Sequence, residues 1–379
     1  MDSSILENNE KIMTKNNVKY IDSISIIRNG YIVYDRFYSY YNYSDMHILN
    51  SITKSVTSIL IGIANHSGFI TNLDEPIVNI FSNRTFANMN AKKEAITIQD
   101  LLEMRSGLEW NTPGLFSEYP VRPQDYEFHS NHTNSFEYWS LNFADDDAKL
   151  ITSDDWVQFV LDKPMEDSPG LVFKYNTGVS HLLQVIIKIK TGMDPQTFAE
   201  DYLFTPLNIT NYHWWKDPQG VIAGGHGLWL HPYDIAKFGY LYLHNGSWGG
   251  QTIVPEDWVH QSVTPPAGTG YGFQWWINTK AEYYRGLGIG GQILLVQPKT
   301  NLVVVITSTN YLGGWSDYSL QFTLIDKHII PAVVTINPTT TTTPGTTSTT
   351  TTIEPTSTNG ISILLVFIIF VSLVIKKRH

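Results

Sequence analysis

A serine and a lysine at the start of one apolar stretch constrain this chain more than any other feature. Ser51 and Lys54 open a segment whose apolar side chains recur at helical spacing: Ile52, Val56, Ile59, Leu60 and Ile63. Gly68 follows at the position where such a helix would end. We therefore predict a buried helix that runs to about residue 66, with Ser51 in its first turn and Lys54 one turn later.

The spacing of these two residues suits nucleophilic catalysis. Residues three positions apart lie on one face of a helix, so the Lys54 amine can reach the Ser51 hydroxyl. A buried lysine can take the serine proton because burial disfavours its own charged form. The Ser51 amide, at a helix start, is also a ready donor to an oxyanion. The alternative is a plain helix N-cap, since Ser-x-x-Lys arises often by chance.

The composition excludes several other kinds of site. The chain has 379 residues and no cysteine, which excludes disulfides, thiolate catalysis and cysteine-ligated zinc. Its formal net charge of −10 argues against nucleic acid as a partner. The 12 histidines are scattered and form no His-Glu-x-x-His motif, so we expect neither a metal nor a cofactor.

The order of the predicted elements indicates one mixed sheet with helices inserted between its strands. Residues 24–27 and 31–34 flank Asn29-Gly30, a strong hairpin signal, and residues 293–296 and 302–307 form a second hairpin. Between them we predict helices at 97–104, at 154–161 with Ser153 as cap, after residue 177 to Gly192, and from Pro232. Residues 108–150 lack periodicity and are predicted to be long surface loops.

The C-terminal part has the composition of a stalk and a membrane anchor. Residues 338–359 are almost entirely Thr, Ser and Pro, residues 360–375 are largely apolar, and residues 376–379 are basic. Such a span reaches roughly 24 Å, short of a hydrocarbon core of about 30 Å, although lysine snorkelling closes that gap. We therefore expect a single-pass protein with a cytosolic tail and an enzyme-sized domain at residues 1–337.

The side of the membrane is predicted from two observations that disagree. Asn-x-Ser/Thr sequons are compatible with an extracellular or lumenal domain, and they lie at Asn42, Asn65, Asn83, Asn131, Asn208 and Asn245. Residues 1–20 carry no apolar run, so no signal peptide is visible. We favour the extracellular or lumenal side, either with the start of the chain incomplete or with the C-terminal segment directing insertion.

Several motifs in order resemble the serine β-lactamase and penicillin-binding superfamily. Its Ser-x-x-Lys motif matches Ser51 to Lys54, and the branch with class C β-lactamases, carboxylesterases and 6-aminohexanoate-dimer hydrolases matches residues 97–110 and 234–239. The resemblance covers nearly the whole part before the stalk. It implies an α/β (α+β), β-lactamase-like fold: a mixed, mostly antiparallel sheet flanked by helices, with a helical insertion subdomain.

The resemblance also implies the other site residues. Tyr175 matches the family's second motif as general base or acid, with its phenolate favoured by Lys54, and Thr177 occupies the third place of that motif. A literal Lys-Thr-Gly at residues 190–192 lies too close to Tyr175 and reads as a helix end.

The third motif is instead expected beside the closing strands. There the glycines of residues 286–291 would approach the substrate and offer an oxyanion donor, with Gly288, Gly290 and Gly291 as the named positions. Gly286 takes the place of the family's cationic lysine, and the adjacent Arg285 could partly replace it.

The resemblance implies a serine hydrolase that cleaves a neutral ester or amide of a small molecule through an acyl-enzyme on Ser51. The loss of the cationic lysine disfavours penicillin as substrate. Two alternatives stay open: a D-alanyl-type peptidase or β-lactamase activity, and a surface interaction module that kept the fold without turnover.

Overall fold

The computed structural model of the chain describes residues 20–38, 40–111, 145–310 and 318–333. The stalk, the apolar C-terminal segment and its basic tail lie outside these residues, as do the domain boundaries predicted there. No helix in the described part is long and apolar enough to cross a bilayer.

The strands form one large sheet and two small ones. They are β1 (Ile21–Arg28), β2 (Tyr31–Phe37), β3 (His47–Ile48), β4 (His213–Trp214), β5 (Leu228–Leu230), β6 (Ser247–Trp248), β7 (Gln251–Thr252), β8 (Trp276–Asn278), β9 (Tyr283–Gly288), β10 (Gln292–Gln297) and β11 (Leu302–Ser308). The large sheet has the order β2-β1-β11-β10-β9-β8, and each neighbouring pair is antiparallel. The predicted combination of one sheet with inserted helices is therefore confirmed, but this sheet is antiparallel throughout and not mixed.

The central strands are apolar on both faces because both faces are covered. In β11, Val303 and Val305 pack into the larger core with the helices described next, whereas Val304 and Ile306 pack against the C-terminal helix. Successive side chains in a strand point to opposite faces, so two covered faces need a continuous apolar run. This is why residues 302–307 show no polar alternation.

The helices are α1 (Ile52–His66), α2 (Ile77–Ile80), α3 (Ala91–Glu94), α4 (Ile98–Leu102), α5 (Asp146–Thr152), α6 (Trp156–Leu161), α7 (Thr177–Thr191), α8 (Pro195–Ala199), α9 (Pro232–Leu243), α10 (Glu256–Ser262) and α11 (Ser319–Leu324). Two π-helical turns continue α8 and α11, at Glu200–Phe204 and Ile325–Ile329. The two 15-residue helices α1 and α7 are the longest of the described residues, and both are buried over most of their length.

Most sequence predictions of these elements are confirmed. The first hairpin turns through Asn29 and Gly30 with φ of 51° and 80°, the left-handed conformation of a two-residue turn. Thr97 forms a capping box with Asp100, although α4 ends at Leu102. Helix α7 ends at Gly192, whose φ is 70°.

Two predictions are wrong. Helix α6 begins after Asp155, whose carboxylate accepts from the Gln158 amide at 3.0 Å. The Ser153 hydroxyl instead donates to the Leu150 carbonyl and so cannot cap. The stretch 108–150 is also not wholly surface loop, since α5 begins within it and Asp147 is only 7% exposed.

Candidate active site

Ser51 stands at the start of α1 without acting as its cap. Its backbone is already helical, with φ −69° and ψ −7°, and its side chain makes no cap hydrogen bond. Lys54 Nζ lies 3.1 Å from Ser51 Oγ. The Ser51 oxygen thus accepts from the lysine amine and does not bond its own helix, so the N-cap alternative does not describe this serine.

Lys54 is buried in a place that lowers its proton affinity. Its side chain is 1% exposed, and Nζ donates to the carbonyl oxygen of Gly225 at 2.8 Å. Desolvation lowers the pKa of Lys54 to about 7, while the charge of Asp147 acts in the opposite direction. Near neutral pH a large share of Lys54 is therefore the free amine that a general base must be.

Tyr175 completes the group that the sequence predicted. Lys54 Nζ lies 4.9 Å from the centre of the Tyr175 ring, and the phenol is hydrogen-bonded to the Ser51 hydroxyl. Burial raises the pKa of Tyr175 well above its usual range, and Asp147 raises it further. The phenol is consequently neutral, so the phenolate implied by the resemblance is not what this environment favours.

Tyr175 is held by a small aromatic cluster. The Trp276 indole stacks on its ring at 5.7 Å with an interplanar angle of 24°, and Tyr271 meets it edge-on at 6.1 Å. Phe173 packs against both Tyr271 and Trp276. Rings arranged in this way restrain one another, so the orientation of the phenol is set by packing as well as by hydrogen bonding.

Thr177 lies in the site beside Gly225 and Asp147. It is the first residue of α7, which the Asn176 side chain caps by accepting from the Val179 amide at 3.1 Å. The Thr177 hydroxyl lowers the pKa of Asp147. The Thr177 methyl carbon Cγ2 would lie only 2.5 Å from a Cβ added at Gly225. Its position indicates a supporting role beneath Lys54.

The predicted oxyanion glycines form the turn between β9 and β10, next to the nucleophile. The Asn50 side chain donates to the Ile289 carbonyl at 2.7 Å and so ties this turn to the residue before Ser51. The Gly291 amide donates to the Gly288 carbonyl at 3.2 Å and therefore serves the turn itself. The Gly290 amide stays the predicted oxyanion donor.

Two further observations concern the missing cation. A Cβ on Gly286 would lie 3.2 Å from Ser55 Oγ and 3.3 Å from Ile52 Cγ2, so α1 occupies the space that a side chain there would need. Arg285 is directed elsewhere, since its guanidinium lies 4.2 Å from the centre of the Phe322 ring and donates to the Tyr283 hydroxyl. Arg285 therefore does not replace the lysine.

The rejected Lys-Thr-Gly match lies at the end of α7. Lys190 Nζ is 2.6 Å from the Glu75 carboxylate, in an ion pair at the helix end. In the described part of the chain, no three His, Asp or Glu side chains are grouped as metal ligands.

Sequence reasoning missed three neighbours of Lys54. Gly225 supplies its carbonyl, His226 follows it with a pKa that burial and Lys54 lower to about 3, and Asp147 supplies a buried charge. The run Asp145-Asp146-Asp147 ahead of apolar residues was a usable signal, because acidic residues favour the first turn of a helix. Nothing in the sequence showed that α5 lies against Lys54.

Sequence comparisons find a matching family model and a related protein. A family model described as Beta-lactamase matches residues 22–319. The 6-aminohexanoate-dimer hydrolase of Paenarthrobacter ureafaciens is 21% identical over 317 residues, which are 78% of this chain and 73% of that one.

Solved structures share the fold at low sequence identity. One assigned as a 6-aminohexanoate-dimer hydrolase from Bacillus anthracis has a TM-score of 0.66 at 23% identity, over 86% of this chain and 81% of that chain. A family VIII carboxylesterase has a TM-score of 0.64 at 12% identity, over 86% of this chain and 96% of that chain. At such low sequence identities, these two structures show only that the fold is shared.

Proposed function

Since this chain belongs to the β-lactamase family of serine hydrolases, we propose that it cleaves a neutral ester or amide of a small molecule through an acyl-enzyme on Ser51. The observation that carries the proposal is the position of Lys54: its buried amine lies 3.1 Å from a serine hydroxyl that does no capping. A structural serine at a helix start would bond its own helix.

In the proposed reaction, the same residues move a proton during formation of the acyl-enzyme and during its hydrolysis. Ser51 Oγ attacks the substrate carbonyl, and its proton passes to the Lys54 amine. The Ser51 and Gly290 amides hold the oxyanion. When the bond to the leaving group breaks, the proton travels from Lys54 through the neutral Tyr175 phenol to that group. Water then attacks the acyl carbon, and its proton passes through Tyr175 to Lys54. Lys54 returns a proton to Ser51 Oγ as the acid is released.

The preference for a neutral substrate is supported by Gly286 and Arg285. Glycine at 286 carries no cation, and even a Cβ there would be tight against Ser55 and Ile52, while Arg285 is directed towards Phe322. The names of two similar proteins, a 6-aminohexanoate-dimer hydrolase and a carboxylesterase, are those of an amide hydrolase and an ester hydrolase. A peptidase or β-lactamase would have to bind its substrate without that cation.

Covalent labelling of Ser51 tests the proposal. A fluorophosphonate should add one label to the wild-type protein and none to Ser51→Ala, as read from intact mass. The exposed Ser44, which hydrogen-bonds Asn42, offers a matched control, and Ser44→Ala should label like wild type. Equal labelling of wild type and Ser51→Ala would contradict the assignment. A folded wild-type protein that is neither labelled nor active on ester and amide panels would favour the interaction module.

We also propose that the domain is tethered to a membrane by residues 360–375 and lies outside the cytosol. The support is the stalk, the basic tail after the apolar segment, and the sequons. Four sequon asparagines, Asn42, Asn83, Asn208 and Asn245, are exposed in the structure and therefore accessible to a glycosyltransferase.

A further inference from the structure

The carboxylate of Asp147 is the least satisfied polar group around the site. Its side chain is 7% exposed, and neither oxygen makes a regular hydrogen bond with another described residue. The nearest polar support is the Thr177 hydroxyl. Burying a carboxylate without partners is unfavourable by several kcal/mol in general, so a chain that keeps one there has a use for the charge.

The two other aspartates at the start of α5 are used locally. The Asp145 carboxylate accepts from the Ala148 amide at 2.7 Å and caps the helix. Asp146 binds the Lys163 amine at 2.6 Å and the Asn111 amide. The Asp147 carboxylate has no such local partner among the described residues, and the cation that its charge acts on is Lys54.

Resting on the proposed function, we propose that Asp147 is a positioning residue of the reaction: a buried counter-charge that stabilises the Lys54 ammonium formed when the lysine takes the Ser51 proton. No atom of Asp147 needs to touch substrate for this. The proton moves from Ser51 Oγ to Lys54 Nζ as the bond from Oγ to the substrate carbon forms, and it later leaves with the alcohol or amine. Above about pH 6, where Asp147 is ionised, the negative charge stays on it throughout.

Of the titratable groups around Lys54, only Asp147 can carry the negative counter-charge. Lys54 is approached by Asp147 from α5, by Tyr175 from the segment before α7, and by His226 from the loop before β5. The pKa of Tyr175 is raised and that of His226 is lowered to about 3, so both are neutral between pH 5 and pH 9. Burial also raises the pKa of Asp147 to about 6, and Asp145 and Asp146 raise it further.

The sign of the effect follows from these charges. Desolvation lowers the pKa of Lys54, and the Asp147 charge raises it back towards neutral pH. Without that charge, desolvation acts alone and Lys54 loses its proton at a lower pH. The base is then free at lower pH but weaker, and a weaker base supports a slower proton transfer.

The experiment is the rate of fluorophosphonate labelling of Ser51 between pH 5 and pH 9 in the full chain. In wild type the rate should rise with a midpoint near pH 7. Asp147→Asn should move the midpoint down by about one pH unit or more and lower the rate at high pH. Asp145→Asn is the matched control, since asparagine also caps helices. Losing the Asp145 charge lowers the pKa of Asp147 and so keeps it ionised, and the midpoint should therefore not fall. Asp147→Glu, which keeps the charge, should restore it.

The outcomes separate the two proposals. A wild-type protein that is not labelled at Ser51 overturns the proposed function and this inference with it. Normal wild-type labelling with an unmoved or raised midpoint in folded Asp147→Asn overturns the role of Asp147 alone. If Asp147→Asn does not fold, Thr177→Val gives the decisive measurement. Losing that hydroxyl raises the pKa of Asp147, so the midpoint should fall by a smaller amount, and an unchanged midpoint would refute the role.

Discussion

Lys54 donates a hydrogen bond to the carbonyl oxygen of Gly225, and this bond aims its amine at the nucleophile. A neutral amine has two N–H donors and one lone pair. With one donor held by a backbone carbonyl, rotation about the last bond of the side chain is restricted, and the lone pair can stay directed at Ser51 Oγ, 3.1 Å away. A loop 171 residues away in the sequence thus sets the geometry of proton transfer.

Adding a methyl group at Gly225 should impair catalysis more than folding. A Cβ there would lie 2.5 Å from Thr177 Cγ2 and 3.3 Å from Lys54 Nζ, so the carbonyl that holds the amine must shift. Overpacking of this kind costs about 1–3 kcal/mol of stability. We expect Gly225→Ala to lose at least about tenfold in kcat, since small displacements of a catalytic group are costly.

The control for this variant is Gly220→Ala. Gly220 has φ of 82° and nothing within 4 Å of an added Cβ, so alanine strains its backbone without touching the site. It should lower the urea midpoint and leave kcat unchanged. Wild-type kcat in folded Gly225→Ala would contradict the role of the carbonyl.

Replacing Lys54 by arginine should abolish most activity. Arginine stays protonated at any working pH, so it cannot accept the Ser51 proton. We expect a loss of about 10²–10⁴ in kcat/KM, the usual contribution of a general base. Wild-type kcat/KM should rise with pH around pH 7, because the pKa of Lys54 is lowered to about 7 and only its neutral form is active.

Lys93 offers a matched control for a buried lysine. It is 1% exposed, and its amine donates to the carbonyl oxygens of Ala87 and Leu161, away from Ser51. Lys93→Arg should keep the pH profile of wild type even if stability falls. A Lys54→Arg protein as active as Lys93→Arg would rule out Lys54 as the base.

Neutral esters should be better substrates than β-lactams. The space at Gly286 is filled by Ile52 and Ser55, and Arg285 lies against Phe322, so neither position offers a cation to a substrate carboxylate. We expect kcat/KM to be higher for p-nitrophenyl acyl esters than for nitrocefin or benzylpenicillin, with Ser51→Ala inactive on all of them. Faster hydrolysis of the β-lactams would show that another residue supplies the cation.

Removing the indole of Trp276 should lower kcat through Tyr175. The two rings stack at 5.7 Å, and an aromatic pair contributes about 0.5–1.5 kcal/mol, which corresponds to at most about a tenfold effect. Trp276→Ala should therefore lose up to about tenfold in kcat, and Trp276→Phe should keep most of it. Equal kcat in wild type and Trp276→Ala would mean that hydrogen bonding alone orients the phenol.

If the domain lies outside the cytosol, its glycans should follow the exposure of the sequons. Asn42, Asn83, Asn208 and Asn245 are exposed, whereas the Asn65 side chain donates to the Ile70 carbonyl at 2.7 Å at the end of α1. Expressed in its own cells, the protein should lose mass on N-glycosidase treatment, and Asn65→Gln should leave that loss unchanged. An unglycosylated domain that protease reaches only from the cytosolic face would refute this topology and leave the catalytic proposals intact.

The sequence predicted those parts of the site that are local in the chain. Ser51 and Lys54 are three residues apart on one helix, so helical periodicity alone brings them together. Tyr175 could be added only through its resemblance to a known motif. Asp147 and Gly225 could not be predicted, because their effects on Lys54 depend on how segments distant in sequence pack together. The cap of α6 was misassigned for a related reason: Ser153 and Asp155 both suit that position, and the competing bond to Leu150 decides between them.

The strand order of the large sheet has a consequence for when the enzyme becomes active. Strand β1 pairs with β2 on one side and with β11 on the other, and the glycine of β9 that packs on α1 is residue 286. The nucleophile is thus synthesised before the strands that hold its helix. Contacts so distant in sequence form late in folding. A nascent chain carrying Ser51 and Lys54 should therefore stay inert until β9, β10 and β11 have emerged.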